Sequence, residues 1–187
     1  MFVAPTFISL GSHEWMISQG DVERITSIGA VVLDNNWTRH GDVVTGRLMS
    51  AIVTNYQRFR EKGGGRYPYR PRHAHPVHID TESAWLDIFE NQDGYKVLLC
   101  HHPEYWSLRE PWLSEKRIDF VLSGYAHGSQ VRFFGRGLYT PGQGWFPKYT
   151  GGVYDGKRII SRGLANTAGV PRVFNQLEIV YLEVGKR

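Results

Sequence analysis

Apolar positions fall in short runs closed by turn-forming residues. Residues 6–10 form a mostly apolar run stopped by Gly11, which predicts a short buried strand. Residues 21–27 predict a helix, with Ile25 and Ile28 on one face and Gly29 placed to stop it. Val31-Val32-Leu33 predicts a second buried strand, closed by Asp34-Asn35-Asn36. Strand, helix and strand in succession is the rhythm of α/β organisation. Residues 61–78 break it. Gly63, Gly64 and Gly65, followed by Pro68, Pro71 and Pro76, do not suit regular elements, so a loop or insertion is expected over about 61–80.

Beyond that loop, residues 81–92 predict a helix. Thr81 can cap it, Trp85, Ile88, Phe89 and Gln92 share a face, and Gly94 follows its end. Residues 95–100 predict a buried strand, and residues 118–122 another that ends at Ser123-Gly124. The remainder turns strand-rich: residues 130–134, a hairpin signal at Tyr154-Asp155-Gly156-Lys157, and residues 177–184. The last run alternates weakly, which predicts a strand buried on both faces. No internal repeat is evident, and neither side of the 61–80 loop makes a complete core alone. A single α/β domain over 1–187 is expected.

Composition narrows the class. The chain has 187 residues with 41% hydrophobic positions, enough for a real core. Its single Cys excludes an intrachain disulfide, and Cys100, closing an apolar run, reads as a small buried hydrophobe, which favours a reducing compartment or indifference to redox. No apolar run approaches the ~18 residues of a membrane span, and the N-terminus lacks the order of a signal peptide. A cytoplasmic chain is expected. Net charge is +4, which attracts phosphate-bearing partners without choosing among them.

Three histidines follow predicted strands directly. His13 lies in Gly11-Ser12-His13-Glu14, His101 in Cys100-His101-His102-Pro103-Glu104, and His127 in Gly124-Tyr125-Ala126-His127-Gly128. In open α/β sheets ligands gather beyond the carboxyl ends of strands, and neutral imidazole suits zinc, iron, nickel and similar ions. A lone strand-end histidine is more often structural. Three in equivalent positions make a shared site worth testing.

The segment Leu98-Leu99-Cys100-His101-His102-Pro103-Glu104 resembles the motif by which calcineurin-like metallophosphoesterases deliver a metal-binding histidine from a strand. Gly124-Tyr125-Ala126-His127-Gly128 is similar to that family's Gly-His-x-His-Gly segment, and Gly11-Ser12-His13-Glu14 to its Gly-Asn-His-Asp/Glu signature. Gln130, Arg132, Gly142-Gln143-Gly144, Phe146-Pro147-Lys148-Tyr149 and Ser161-Arg162-Gly163-Leu164 resemble one bacterial branch. The resemblance is specific from Val97 onward and nearly absent over residues 45–80.

It implies a four-layer α/β sandwich and a pair of divalent transition-metal ions (Mn, Fe, Zn or Ni) that activate a hydroxide against a phosphorus centre. The substrate would be a phosphomonoester, phosphodiester or pyrophosphate. By motif, His101 and His127 would be metal ligands, and His13 would protonate the leaving oxygen or steady the transition state.

The sequence departs from that pattern. The family's Asp-x-His and Gly-Asp motifs lie upstream of the Gly-Asn-His segment, and residues 1–10 contain no Asp, Glu or His. Ser12 stands where the family has a ligating Asn. Tyr125 stands where it has a His, and a phenol is a poor substitute for imidazole. The sandwich is therefore expected to be incomplete on its N-terminal side, and a full dinuclear site is not expected from this chain. Weak or absent turnover alone follows, with a second copy or another chain supplying the missing segment. The alternative is a catalytically defective relative acting as a binding or interaction module.

Other segments carry plainer readings. His73, His75 and His78 have ligand-like spacing, against a solvated polar loop. Residues 66–72 interleave Arg, Tyr and Pro as base-stacking segments do, but so short and proline-rich a stretch fits a PPII surface loop. Nucleic acid is not an expected partner. Arg132, Arg136, Arg162 and Arg172 could offer forks to phosphate or pair with carboxylates, and Trp145 and Phe146 read as lid or core anchors.

Overall fold

The computed structural model describes residues 4–11, 17–33, 35–48, 84–107, 113–140, 143–165 and 171–184. His13, the 61–80 loop, the His73, His75 and His78 group, residues 66–72 and Thr81 lie outside the described residues.

The described strands are β1 Thr6–Ser9, β2 Ala30–Leu33, β3 Asn36–His40, β4 Val43–Leu48, β5 Tyr95–Cys100, β6 Phe120–Ser123, β7 Arg132–Phe133, β8 Arg136–Gly137, β9 Tyr139–Thr140, β10 Gly144–Trp145, β11 Gly152–Tyr154 and β12 Arg158–Ile160. The helices are α1 Gln19–Ser27 and α2 Ala84–Glu90. Six strands form one sheet in the order β11-β12-β6-β5-β4-β3. Within it β4, β5, β6 and β12 run parallel, while β3 and β11 add antiparallel edges. Separately, β1 and β2 pair in parallel.

The core lies where α2 crosses this sheet. Leu86 and Phe89 are fully buried against a cluster that includes Val44, Leu98, Cys100 and Val121. Gly46 makes the close approach possible, since a Cβ there would lie 2.9 Å from the Phe89 ring. Ile88, expected on the buried face, is 58% exposed, and Leu86 takes that role. At about 100° per residue, Trp85, Leu86 and Phe89 span one arc, and Ile88 falls behind it.

The β3–β4 hairpin is absent from the sequence-based expectation. It turns at Gly41 (φ 57°), and β4 is buried from Val44 to Leu48 as an inner strand. Its buried Arg47 reaches remote partners, donating to the carbonyls of Leu10 at 2.8 Å and Leu33 at 3.0 Å. One guanidinium thereby ties the ends of β1 and β2 to the main sheet. A second buried arginine, Arg158, lies 3.5 Å from the centroid of the Tyr149 ring and 4.9 Å from those of Trp106 and Tyr154. Burial lowers its pKa, offset by Tyr149 and Asp155. Burial pushes the Tyr149 phenol up, but hydrogen bonding with Lys148, Ser107 and Arg158 outweighs it and leaves the group below the usual phenol range.

Several boundaries move. The first helix begins at Gln19, where Ser18 and Asp21 close a capping box. None of its residues is buried, and Ile28 is 53% exposed. The strand expected at 118–122 is β6, two residues later, because Asp119 turns the chain in by exchanging hydrogen bonds with the Lys96 backbone. The strand expected at 130–134 is the two-residue β7 of a hairpin. Residues 177–184 form no strand: Ile179 and Tyr181 are 79% and 86% exposed, and no described strand pairs with them. Apolar content alone does not make a strand without a neighbouring edge. Trp145 and Phe146 are exposed and do not anchor the core. No helix among the described residues is long and apolar enough to cross a membrane.

Candidate functional site at the carboxyl edge of the sheet

The parallel register sets four strand ends in a row. Leu48 pairs with Cys100, Leu99 with Leu122, and Ile160 with Ser123, so the loops after β4, β5, β6 and β12 leave from one edge. Arg47, next to the end of β4, holds the Leu10 carbonyl, so the segment after β1 departs from the same side. His13 belongs to that segment but lies outside the described residues.

His101 is the first residue past β5. Its carbonyl accepts from the N–H of Gly124 at 3.3 Å and of Tyr125 at 3.0 Å, which joins this loop to the one after β6. The His127 N–H in turn donates to the Gly124 carbonyl at 3.2 Å. The two sequence-predicted histidines thus sit on loops that share a hydrogen-bond chain. Among the described residues no group of three or more His, Cys, Asp or Glu is arranged to hold a metal ion.

Tyr125 packs against two imidazoles, whose own ring centroids are 5.3 Å apart, so the three rings form a triangle. Its ring centroid is 3.9 Å from that of His102, at 30°, and 5.4 Å from that of His101, near perpendicular. His102 Nδ1 faces Glu104 Oε2 at 3.5 Å. Glu104 is 1% exposed, and neither carboxylate oxygen has a hydrogen-bond partner among the described residues. A proton on Nδ1 would face that carboxylate and leave Nε2 as the free lone pair. His102 and Glu104 were not singled out for a role from the sequence. The available signal is a carboxylate two residues past an imidazole, with Pro103 starting a tight turn between them.

The His127 turn is conformationally demanding. His127, Gly128, Ser129 and Gln130 all have positive φ, from 40° to 72°. Outside Gly and Asn such backbone is uncommon and persists only when neighbours hold it. Asn175 is one such neighbour, donating to the His127 carbonyl at 2.6 Å from 48 residues away. Arg162, just past β12, is another: a Cβ on Gly128 would lie 2.8 Å from its Cγ. Glu178 holds Arg162 through Nε at 2.7 Å. Arg132 donates to the carbonyls of Gly128 and Gly135 and to Thr150. Burial lowers its pKa, and the nearby Arg162 adds to that. Arg172 donates to the carbonyls of Arg162 and Ala165. These arginines knit the loops together, while Arg136 faces solvent.

No protein-family profile matches the chain. No solved structure matches it. Among curated proteins it is similar to the uncharacterized protein YpbG of Bacillus subtilis (strain 168), with 35% identity over 86 residues. That alignment takes in 46% of this chain and 29% of the relative, so the chain spans a minor part of that protein's length.

Proposed function

We propose that this chain carries the ligand edge of a metal-dependent phosphoesterase of the calcineurin-like kind, one side of a four-layer α/β sandwich, with weak activity in isolation. The observation that carries the reading is the pair of hydrogen bonds from Gly124 and Tyr125 to the His101 carbonyl. They bring together the two segments that resemble the family's metal-binding motifs, at the edge where open α/β sheets bind ligands. In this reading His101 and His127 are ligands, and His13 delivers the proton to the leaving oxygen.

The described residues do not by themselves fit a dinuclear metal centre. Two imidazoles are fewer than the roughly three protein ligands a catalytic ion keeps, and no described cluster supplies more. A second copy or another segment that pairs with the β1–β2 sheet or with residues 177–184 would bring further donors and cover exposed apolar side chains such as Ile179 and Tyr181.

A second reading has its own support. The Tyr125 ring packs against both His101 and His102. A phenol there suits a site that binds a phosphate ester without turning it over.

Manganese-dependent hydrolysis of bis(p-nitrophenyl) phosphate by the purified chain, beside His127→Ala, separates the two. Turnover abolished in the variant supports the hydrolase. No turnover above the variant sinks it and leaves the binding module.

A further inference from the structure

We propose that the loop tips of the strand-rich C-terminal part form a docking surface for an anionic lipid bilayer, with aromatic side chains entering the interfacial layer. Phe134, Phe146 and Phe174 are 91%, 76% and 81% exposed. All three have left-handed backbone, with φ of 46°, 51° and 51°. A bulky L-residue there is a genuine outlier, and outliers of this kind point to function rather than to folding.

The chain contains its own control. At the β11–β12 turn, Asp155-Gly156 adopts φ of 52° and 63° with the short polar residue that tolerates this backbone. At the β7–β8 turn, Phe134-Gly135 adopts φ of 46° and 76° with an aromatic in the same place. Phe134 gains no burial in exchange, so its contribution lies in what it contacts outside the chain.

The segments that carry these side chains are linked to one another. The Phe133 and Phe134 rings lie 4.4 Å apart, and Trp145, 72% exposed, packs at 5.4 Å on Tyr139. The N–H of Phe146, one residue past β10, donates to the carbonyl of Leu138 at 2.7 Å, joining the end of β10 to the residue between β8 and β9. Val131 bridges to Val173, which sets Phe174 beside the root of β7. Phe174 also lines a cavity of about 410 Å³ with Gly135, Arg132 and Glu178, whose carboxylate is paired to Arg162.

Charge selects the occupant. Between Val131 and Tyr154 there is no Asp or Glu, while Arg136 and Lys148 are exposed. Trp and Tyr favour the membrane–water boundary, where one end of the ring is wet and the other apolar. Basic side chains beside them are drawn to anionic headgroups. The exposed apolar residues at 177–184 differ, since Glu178 and Glu183 stand among them, the first paired to Arg162.

The test is co-sedimentation with vesicles of phosphatidylcholine alone or mixed with phosphatidylglycerol, at low and high salt. The chain is expected to partition onto the mixed vesicles and to be released by salt. Phe134→Asn combined with Phe146→Asn should weaken partitioning by roughly tenfold or more. The same variant should keep or raise Tm, because Asn suits left-handed backbone. Equal partitioning of variant and parent, or no binding to the mixed vesicles, overturns the proposal. Lipid-free self-association lost in the same variant also overturns it, by assigning the surface to a second copy.

Discussion

The Tyr125 N–H donates to the His101 carbonyl at 3.0 Å, so the loop past β6 cannot move without the loop past β5. Through the Gly124 carbonyl the same chain of bonds reaches His127. The backbone thereby ties together two loops whose histidines are 26 positions apart.

Gly128 is the weakest point of that arrangement. It sits at φ 69°, and an added Cβ would collide with Asn175 and press on Arg162. Gly128→Ala should cost about 1–2 kcal/mol from the left-handed backbone alone, with displacement of Asn175 added. Urea denaturation should show the lower midpoint. An unchanged midpoint would mean the His127 turn is not held as described.

Arg47 should be structurally indispensable to β1 and β2. Arg47→Met removes charge-assisted bonds to Leu10 and Leu33 and leaves those carbonyls without this donor. The loss should be roughly 3 kcal/mol. Hydrogen exchange should show the β1–β2 amides losing protection first, while those of Leu98 and Val121 keep theirs. Uniform loss across the sheet would contradict the local role.

The acid limb of stability should include Glu90. Partial burial raises its pKa, but the Arg117 N–H and the Lys116 ammonium outweigh that and hold it below the ordinary value. A depressed carboxylate contributes stability above its unfolded pKa of about 4.3 and loses it as pH falls further. Lys116 is raised, by Asp87 first, with Glu90 acting in the same direction. Its contribution holds below about pH 10.4 and fades above. Glu90→Gln should flatten the acid limb in pH-dependent thermal melts, and high salt should shrink the difference.

The sequence shows those features whose cause is local. Tyr95–Cys100 is an apolar run bounded by Gly94 and a histidine, and β5 fills it end to end. Tyr154-Asp155-Gly156-Lys157 carries its turn chemistry within four residues, and the hairpin forms there. The β3–β4 hairpin escapes notice because Arg39, His40, Asp42 and Arg47 make it look like a loop. The remote carbonyls of Leu10 and Leu33 help make a buried Arg47 tolerable. Residues 177–184 mislead in the opposite sense, since their apolar pattern finds no described edge to join. At the site, the strand-end positions of His101 and His127 are legible, whereas the hold of Asn175 on His127 spans 48 residues and leaves no local trace.

Tyr125 offers the most direct test of the phosphoesterase reading. It packs against two imidazoles, at the position where the resembling family has a metal-ligating histidine. Tyr125→His restores that donor, and manganese titration calorimetry with bis(p-nitrophenyl) phosphate hydrolysis should then show tighter metal binding and at least about tenfold faster turnover than the parent. Unchanged affinity and rate in a folded Tyr125→His variant would contradict a metal site at this edge.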